Sequence, residues 1–205
     1  MIKLNFKVFL LIKIFLIFII LSVKVHAESL TEKNNFIVLG LDTAPIKIKI
    51  FSSHTCPHCA DFHINVIPKI KEKYIDQGKV QLIFIDFPLD QAAFNASKLL
   101  HCLDQKKQIN FLDKIYEKQK QWTSGSTIDD INNNLRKIVK TLGINSIEFD
   151  KCINNQVIGD KILNARINGQ KKYSIESTPT IIINEEKLND NANFKNIEKK
   201  IKKII

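Results

Sequence analysis

Isoleucine and lysine alternate along Ile46-Lys47-Ile48-Lys49-Ile50 before Phe51, the period-two pattern of a strand with one buried face. Phe36 to Leu39 is a shorter strand candidate, and Asp42-Thr43-Ala44-Pro45 reads as the turn between the two. Lys79 to Phe87 carries the run Val80-Gln81-Leu82-Ile83-Phe84-Ile85 between Gly78 and Pro88, as expected of a strand covered on both faces. From Cys56 to about Tyr74 the spacing changes: Phe62, Val66 and Ile70 recur at helical intervals, and Pro68 predicts a bend. Strand, helix and strand make a βαβ unit. The pattern is then helical over 91–104, 108–121, 127–142 and, in shorter pieces, 147–170. Strand character returns at Thr180-Ile181-Ile182-Ile183-Asn184, followed by Glu185-Glu186 as a turn, a short strand near Lys187-Leu188 and a terminal helix from Asn193. The order βαβ, helices, ββα makes 89–170 a helical insertion in a sheet domain formed by 28–88 and 171–205.

The first 27 residues fall outside this pattern. Lys3 and Lys7 precede an apolar run from Ile14 to Val23, which ends at Lys24 and Val25-His26-Ala27. This is the arrangement of a signal peptide with cleavage after Ala27. Lys13 interrupts the run before it reaches the length of about 20 residues that a bilayer span needs; an uncleaved anchor is the alternative. The 205 residues bound the remainder to one domain with an insertion. The net charge of +10 loses Lys3, Lys7, Lys13 and Lys24 with the signal and becomes +6. The remaining lysines are scattered, which describes a solvated surface and gives no ground for a nucleic-acid partner.

Export changes how the four cysteines are read, because disulfides persist in an oxidising compartment. Cys56-Pro57-His58-Cys59 stands where a strand gives way to a helix. A cysteine at a helix N-terminus feels unsatisfied N–H groups and the positive end of the helix dipole, which favour the attacking thiolate. Cys56 has that place, and Cys59 lies within one turn, where it can resolve a mixed disulfide formed at Cys56. Cys59 is expected to be the more buried and less acidic thiol. Pro57 suits an early helical position, and His58 adds an imidazole beside the thiolate. A stabilised thiolate favours the reduced pair and makes its disulfide an oxidant. An inert disulfide between cysteines three apart has little value as a staple. A metal could draw on His54, Cys56, His58, Cys59 and His63, but a second paired motif is missing, so no metal is expected.

The motif after a strand, the continuation Cys59-Ala60-Asp61-Phe62-His63, and Ser177-Thr178-Pro179-Thr180 before a late strand resemble the DsbA family of thiol:disulfide oxidoreductases. Gly78-Lys79-Val80, Asp86-Phe87-Pro88-Leu89 and the placement of the insertion extend the similarity over 36–205. The resemblance implies a thioredoxin-like α/β fold, a central mixed sheet flanked by helices, with an inserted all-helical subdomain. It implies that Pro179 is cis and opposite the dithiol, with Thr178 contributing backbone groups to substrate. It suggests that Cys102 and Cys152 form a disulfide within the insertion; free thiols or a redox-regulatory pair are the alternatives.

Two features depart from the best-known members: valine stands there before the cis-proline, and a buried acid where this chain has Ile50. His54, just before the motif, is read as a solvated loop histidine, with modulation of the site as the alternative. The expected function is an exported oxidase that passes a disulfide to reduced exported proteins and is reoxidised by a membrane quinone-linked partner resembling DsbB. No organic cofactor is implied, and the short stretch before the first strand points to a monomer. A disulfide isomerase or reductase on the same fold is the alternative, as is a non-catalytic binder of unfolded chains.

Overall fold

The computed structural model describes residues 36–205; the signal-peptide reading of 1–27 lies outside them. Among the described residues, no helix is long and apolar enough to cross a membrane. Five strands form one mixed sheet: β1 (Ile37–Leu39), β2 (Ile46–Ser52), β3 (Val80–Asp86), β4 (Thr180–Ile183) and β5 (Glu186–Lys187), in the order β1-β3-β2-β4-β5. β2 and β3 run parallel, with Ile46 opposite Val80 and Ser52 opposite Asp86. The other pairings are antiparallel. Parallel neighbours need a crossover, which is supplied by the helix that begins at the dithiol.

The alternation in β2 has the expected result: Ile46, Ile48 and Ile50 are buried, whereas Lys47 and Lys49 lie half-buried on the other face. That second face is covered in part by polar contacts. Lys47 Nζ donates to Gln81 Oε1 at 2.9 Å, and Lys49 Nζ to the Tyr173 hydroxyl at 2.9 Å.

The crossover is broken rather than merely bent. α1 (Pro57–Asn65) ends before Val66, α2 (Ile67–Ile70) follows, and a wider π turn (Lys71–Ile75) completes the segment. Pro68 has no N–H to continue the helical ladder, which accounts for the break there. Phe62, Val66 and Ile70 are nonetheless all buried.

The insertion comprises α3 (Gln91–Cys102), α4 (Gln105–Glu117), the single turn α5 (Gln119–Trp122), α6 (Ile128–Lys140), α7 (Ser146–Ile153) and α8 (Gln156–Tyr173). Its starts are chemically marked. Asp90 caps α3 by accepting from Ala93 N at 2.7 Å, while Thr127 with Asp130 and Asn145 with Glu148 form capping boxes on α6 and α7. Phe111, Trp122, Leu135, Val139 and Phe149 are buried within it. α8 runs to Tyr173, three residues beyond the expected end of the insertion, and its Gly169 sits against Phe51 of β2. α9 (Phe194–Ile201) closes the chain.

The β4–β5 turn falls one residue earlier than expected. Asn184 and Glu185 both have positive φ, 44° and 71°, the backbone of a two-residue hairpin whose twist suits the flanking strands. Glu186 therefore starts β5.

Candidate active site

β2 delivers the chain at Ser52 to a short loop, Ser53 to Thr55, and that loop ends at Cys56, the N-cap of α1. The loop is held from several sides. Cys56 N donates to Ser53 O at 3.1 Å, the Thr55 hydroxyl donates to Asp90 Oδ2 at 2.7 Å, and Leu89 N to Ser53 Oγ at 3.4 Å. The Cys56 carbonyl accepts the first helical bonds, from Cys59 N at 3.1 Å and Ala60 N at 3.2 Å. Pro57 occupies the first helical position, where its missing N–H costs nothing.

Both thiols are free, so the dithiol is in its reduced state. Cys56 retains 8% exposure and Cys59 2%. The Cys59 thiol hydrogen-bonding to its sulfur brings the Cys56 pKa down to about 5 against the opposing effect of burial; the Thr178 side chain and the backbone N–H groups of Cys59 and His58 add to the lowering. Burial pushes the Cys59 thiol far above its ordinary value, and the neighbouring Cys56 sulfur raises it further. The two cysteines thus differ as the sequence predicts, Cys59 being the more buried and the less acidic thiol. His58 is expected to place an imidazole beside the thiolate. Its side chain is exposed, and the contribution found here comes from its backbone N–H.

The Thr178-Pro179 peptide is cis, as the resemblance implies. As a thiol, Cys56 Sγ donates to the Thr178 carbonyl at 3.3 Å. The buried Thr178 hydroxyl makes no hydrogen bond of its own, so it acts on Cys56 from beyond hydrogen-bond distance. Pro179 is half-buried, immediately before β4.

His54 departs from its reading as a solvated loop residue. It is 1% exposed, and its Nε2 lies 2.9 Å from Asp86 Oδ1. Asp86, the last residue of β3, also accepts from the Ser97 hydroxyl at 2.7 Å and meets His101 Nε2 at 2.7 Å. Burial opposes the charge on Asp86, but the bonds from His101 and His54 overcome it and hold the carboxyl well below the usual range. Ile50 carries no charge in β2; the buried acid beside this motif comes from the neighbouring strand. Sequence reading missed it because its partners lie 32 and 15 residues away. The available signal was an acid closing an otherwise apolar strand, since a buried carboxylate requires partners.

Two insertion residues were also missed. The Tyr116 ring lies between the histidines, with centroids 5.6 Å from His54 and 4.8 Å from His63, and its hydroxyl donates to Ser52 Oγ at 3.2 Å. Gln119 Nε2 donates to the carbonyls of His54, at 2.8 Å, and Cys56, at 3.0 Å. His63, on α1, pairs through Nε2 with Asp113 Oδ1 at 2.8 Å. The carboxylates of Asp86 and Asp113 therefore engage two of the histidines that a metal would have needed. Among the described residues, no group of three or more acidic, histidine or cysteine side chains is arranged to hold a metal ion. Cys102 and Cys152 are joined in a disulfide between α3 and α7, with Cα atoms 6.0 Å apart, which excludes free thiols and fits a structural staple and a redox-regulatory pair alike.

The profile of the thioredoxin family matches residues 32–203. The chain is 32% identical over 171 residues to a probable disulfide bond formation protein D of Bacillus anthracis, covering 80% of this chain and 78% of the relative. It is 30% identical over 176 residues to disulfide bond formation protein D of Bacillus subtilis, covering 81% and 75%. Among solved structures, alpha-DsbA1 of Wolbachia pipientis superposes with a TM-score of 0.76 at 34% identity, covering 83% of this chain and 90% of that one. With its acidic Cys56, shielded Cys59 and cis-proline loop, the chain belongs to the thioredoxin family, as a DsbA-like thiol:disulfide oxidoreductase.

Proposed function

We propose that this oxidoreductase is an exported oxidase that donates the Cys56–Cys59 disulfide to newly exported proteins. A substrate thiolate attacks Cys56 Sγ; the Cys56–Cys59 bond breaks, and Cys59 leaves with the electron pair and takes a proton. A second substrate thiolate then attacks the substrate sulfur of the mixed disulfide. The substrate disulfide forms and Cys56 departs as its thiolate. The substrate loses two electrons and the pair gains them, so no organic cofactor is invoked. The same two electrons then pass to a membrane quinone-linked, DsbB-like partner, which restores the disulfide.

The observation that carries this reading is the place of Cys56 at the N-cap of α1, with the Cys59 thiol and the N–H groups of Cys59 and His58 against its sulfur, which brings its pKa down to about 5. A thiol this acidic is a good leaving group and stabilises the reduced product, which makes its disulfide oxidising. The names of the relatives in the two Bacillus species support the same direction. Thr178 and Pro179 form the substrate side of the site. The Thr178 carbonyl, now 3.3 Å from Cys56 Sγ, becomes available to a substrate backbone N–H once Cys56 is in the mixed disulfide. Pro179 has no N–H of its own to compete.

A titration of the pair against glutathione tests the proposal, together with oxidation of a reduced test protein. An oxidase gives a potential well above the thioredoxin value of about −270 mV and one substrate disulfide per mole of enzyme. A potential near the thioredoxin value, or rescue of a scrambled substrate without net oxidation, assigns the site to reduction or isomerisation instead. Retained activity in Cys56→Ser would remove Cys56 from the chemistry.

A further inference from the structure

The backbone of the loop that presents Cys56 is held by a side chain of the helical insertion. Gln119 is 8% exposed, and its Nε2 spends both hydrogens on the His54 and Cys56 carbonyls, at 2.8 and 3.0 Å. The two acceptors bracket Thr55, at the step where the chain leaves the strand and becomes the N-cap of α1. The Cys56 carbonyl has helical donors in Cys59 N and Ala60 N. For the buried His54 carbonyl, Gln119 is the donor found among the described residues.

The strut itself is anchored. Gln119 opens the single turn α5, whose Trp122 is buried and donates from Nε1 to Ile115 O at 2.7 Å. The Thr123 hydroxyl returns a bond to Gln119 O at 2.7 Å.

We propose that Gln119 is a positioning residue for the thiolate. Two effects act in the same direction. The amide fixes the backbone on both sides of Thr55, and so fixes where Cys56 Sγ stands relative to the N–H groups of His58 and Cys59. The amide hydrogens also offset the negative ends of two carbonyl dipoles near the sulfur, in a buried setting where such dipoles act strongly. Without them the loop relaxes or admits water, and both effects are lost. The insertion thereby sets the acidity of a cysteine that belongs to the sheet domain. This inference rests on Cys56 being the attacking thiolate and not on the direction of exchange, so an isomerase or reductase result leaves it standing.

The test is the ultraviolet thiolate titration of the reduced protein in Gln119→Met, which keeps the volume and removes both donors, and in Gln119→Asn, which keeps the amide one methylene short. The Cys56 midpoint is expected to rise by about half a unit or more in the methionine variant, roughly threefold in the dissociation constant. The asparagine variant is expected to fall between. The equilibrium with glutathione shifts with it, so that the variant disulfide becomes less oxidising. A Cys56 midpoint unchanged in both variants, with only the melting temperature lowered, overturns the proposal and leaves Gln119 a packing residue. If neither variant folds, the ¹⁵N-labelled parent decides. Its Gln119 side-chain amide should exchange slowly and follow the Cys56 midpoint in chemical shift. An amide that exchanges freely and is silent across that midpoint overturns the proposal.

Discussion

Replacing Cys102 and Cys152 by alanine together removes a cross-link spanning 50 residues of sequence. Between the two cysteines lie α4, α5 and α6, so the bond closes a loop around most of the insertion. By the chain-entropy argument a loop of 50 residues is worth about 4 kcal/mol at 25 °C, with measured values commonly lower. For a domain of this size each kcal/mol moves Tm by about 2–4 °C. The expected fall is therefore about 8–16 °C, and about half that where the unfolded chain remains compact. The comparison is made by circular dichroism in a Cys56→Ser, Cys59→Ser background, so that the catalytic dithiol does not titrate or exchange during the melt. Exchange activity, measured in Cys102→Ala, Cys152→Ala with the dithiol intact, should persist, because neither cysteine contributes to the contacts of Cys56. A Tm within about 1 °C of the parent would refute the staple.

Further outcomes follow from the site and its supports. Because the Cys56 pKa is about 5, alkylation of the reduced protein should accelerate as pH rises through about 5 and level off above 7; a rate still climbing at pH 9 contradicts the assignment. The same depressed pKa stabilises the folded reduced form fully above the unfolded thiol value of about 8.5 and loses that stabilisation as pH falls through 5. The melting advantage of reduced over oxidised protein should therefore grow across that window. Asp86→Asn leaves His54 and His101 facing an uncharged amide and should cost about 3 kcal/mol in urea unfolding at pH 7. The His101 pKa, raised by Asp86 against the lowering effect of burial, should fall in the same variant; a loss under about 0.5 kcal/mol would rule out the buried pairing. Gly169→Ala should destabilise by about 1–3 kcal/mol although alanine normally favours a helix interior, since a Cβ there would collide with Phe51 Cε1. A raised Tm would mean that α8 can move off the sheet.

How far each part could be read depended on the range of its cause. The Ile–Lys alternation of β2 and the helical spacing of the apolar residues act within a few residues, and the strands and helices they mark appear within a few positions of expectation. The β4–β5 turn shifted by one residue because the decision lay in the positive φ of Asn184 and Glu185, which side-chain pattern alone did not settle. His54 was misread for a different reason. A histidine in a Ser-Ser-His-Thr loop reads as solvated until Asp86 and Tyr116 are brought against it from 32 and 62 positions along the chain.

By itself, then, the sequence determined the order of elements, the placement of two thiols one helical turn apart at a strand-to-helix junction, and the contrast between an acidic Cys56 and a more buried Cys59. These depend on periodicity, caps and the helix N-terminus, all local forces. Only the tertiary structure decided what surrounds that dithiol: the Thr178 carbonyl against Cys56, the carboxylate of Asp86 holding two histidines, and the Gln119 amide reaching the loop from the insertion. A buried hydrogen bond or charge pair is favourable only when both partners leave water together. Which partners meet is a property of the packed fold and not of any one segment.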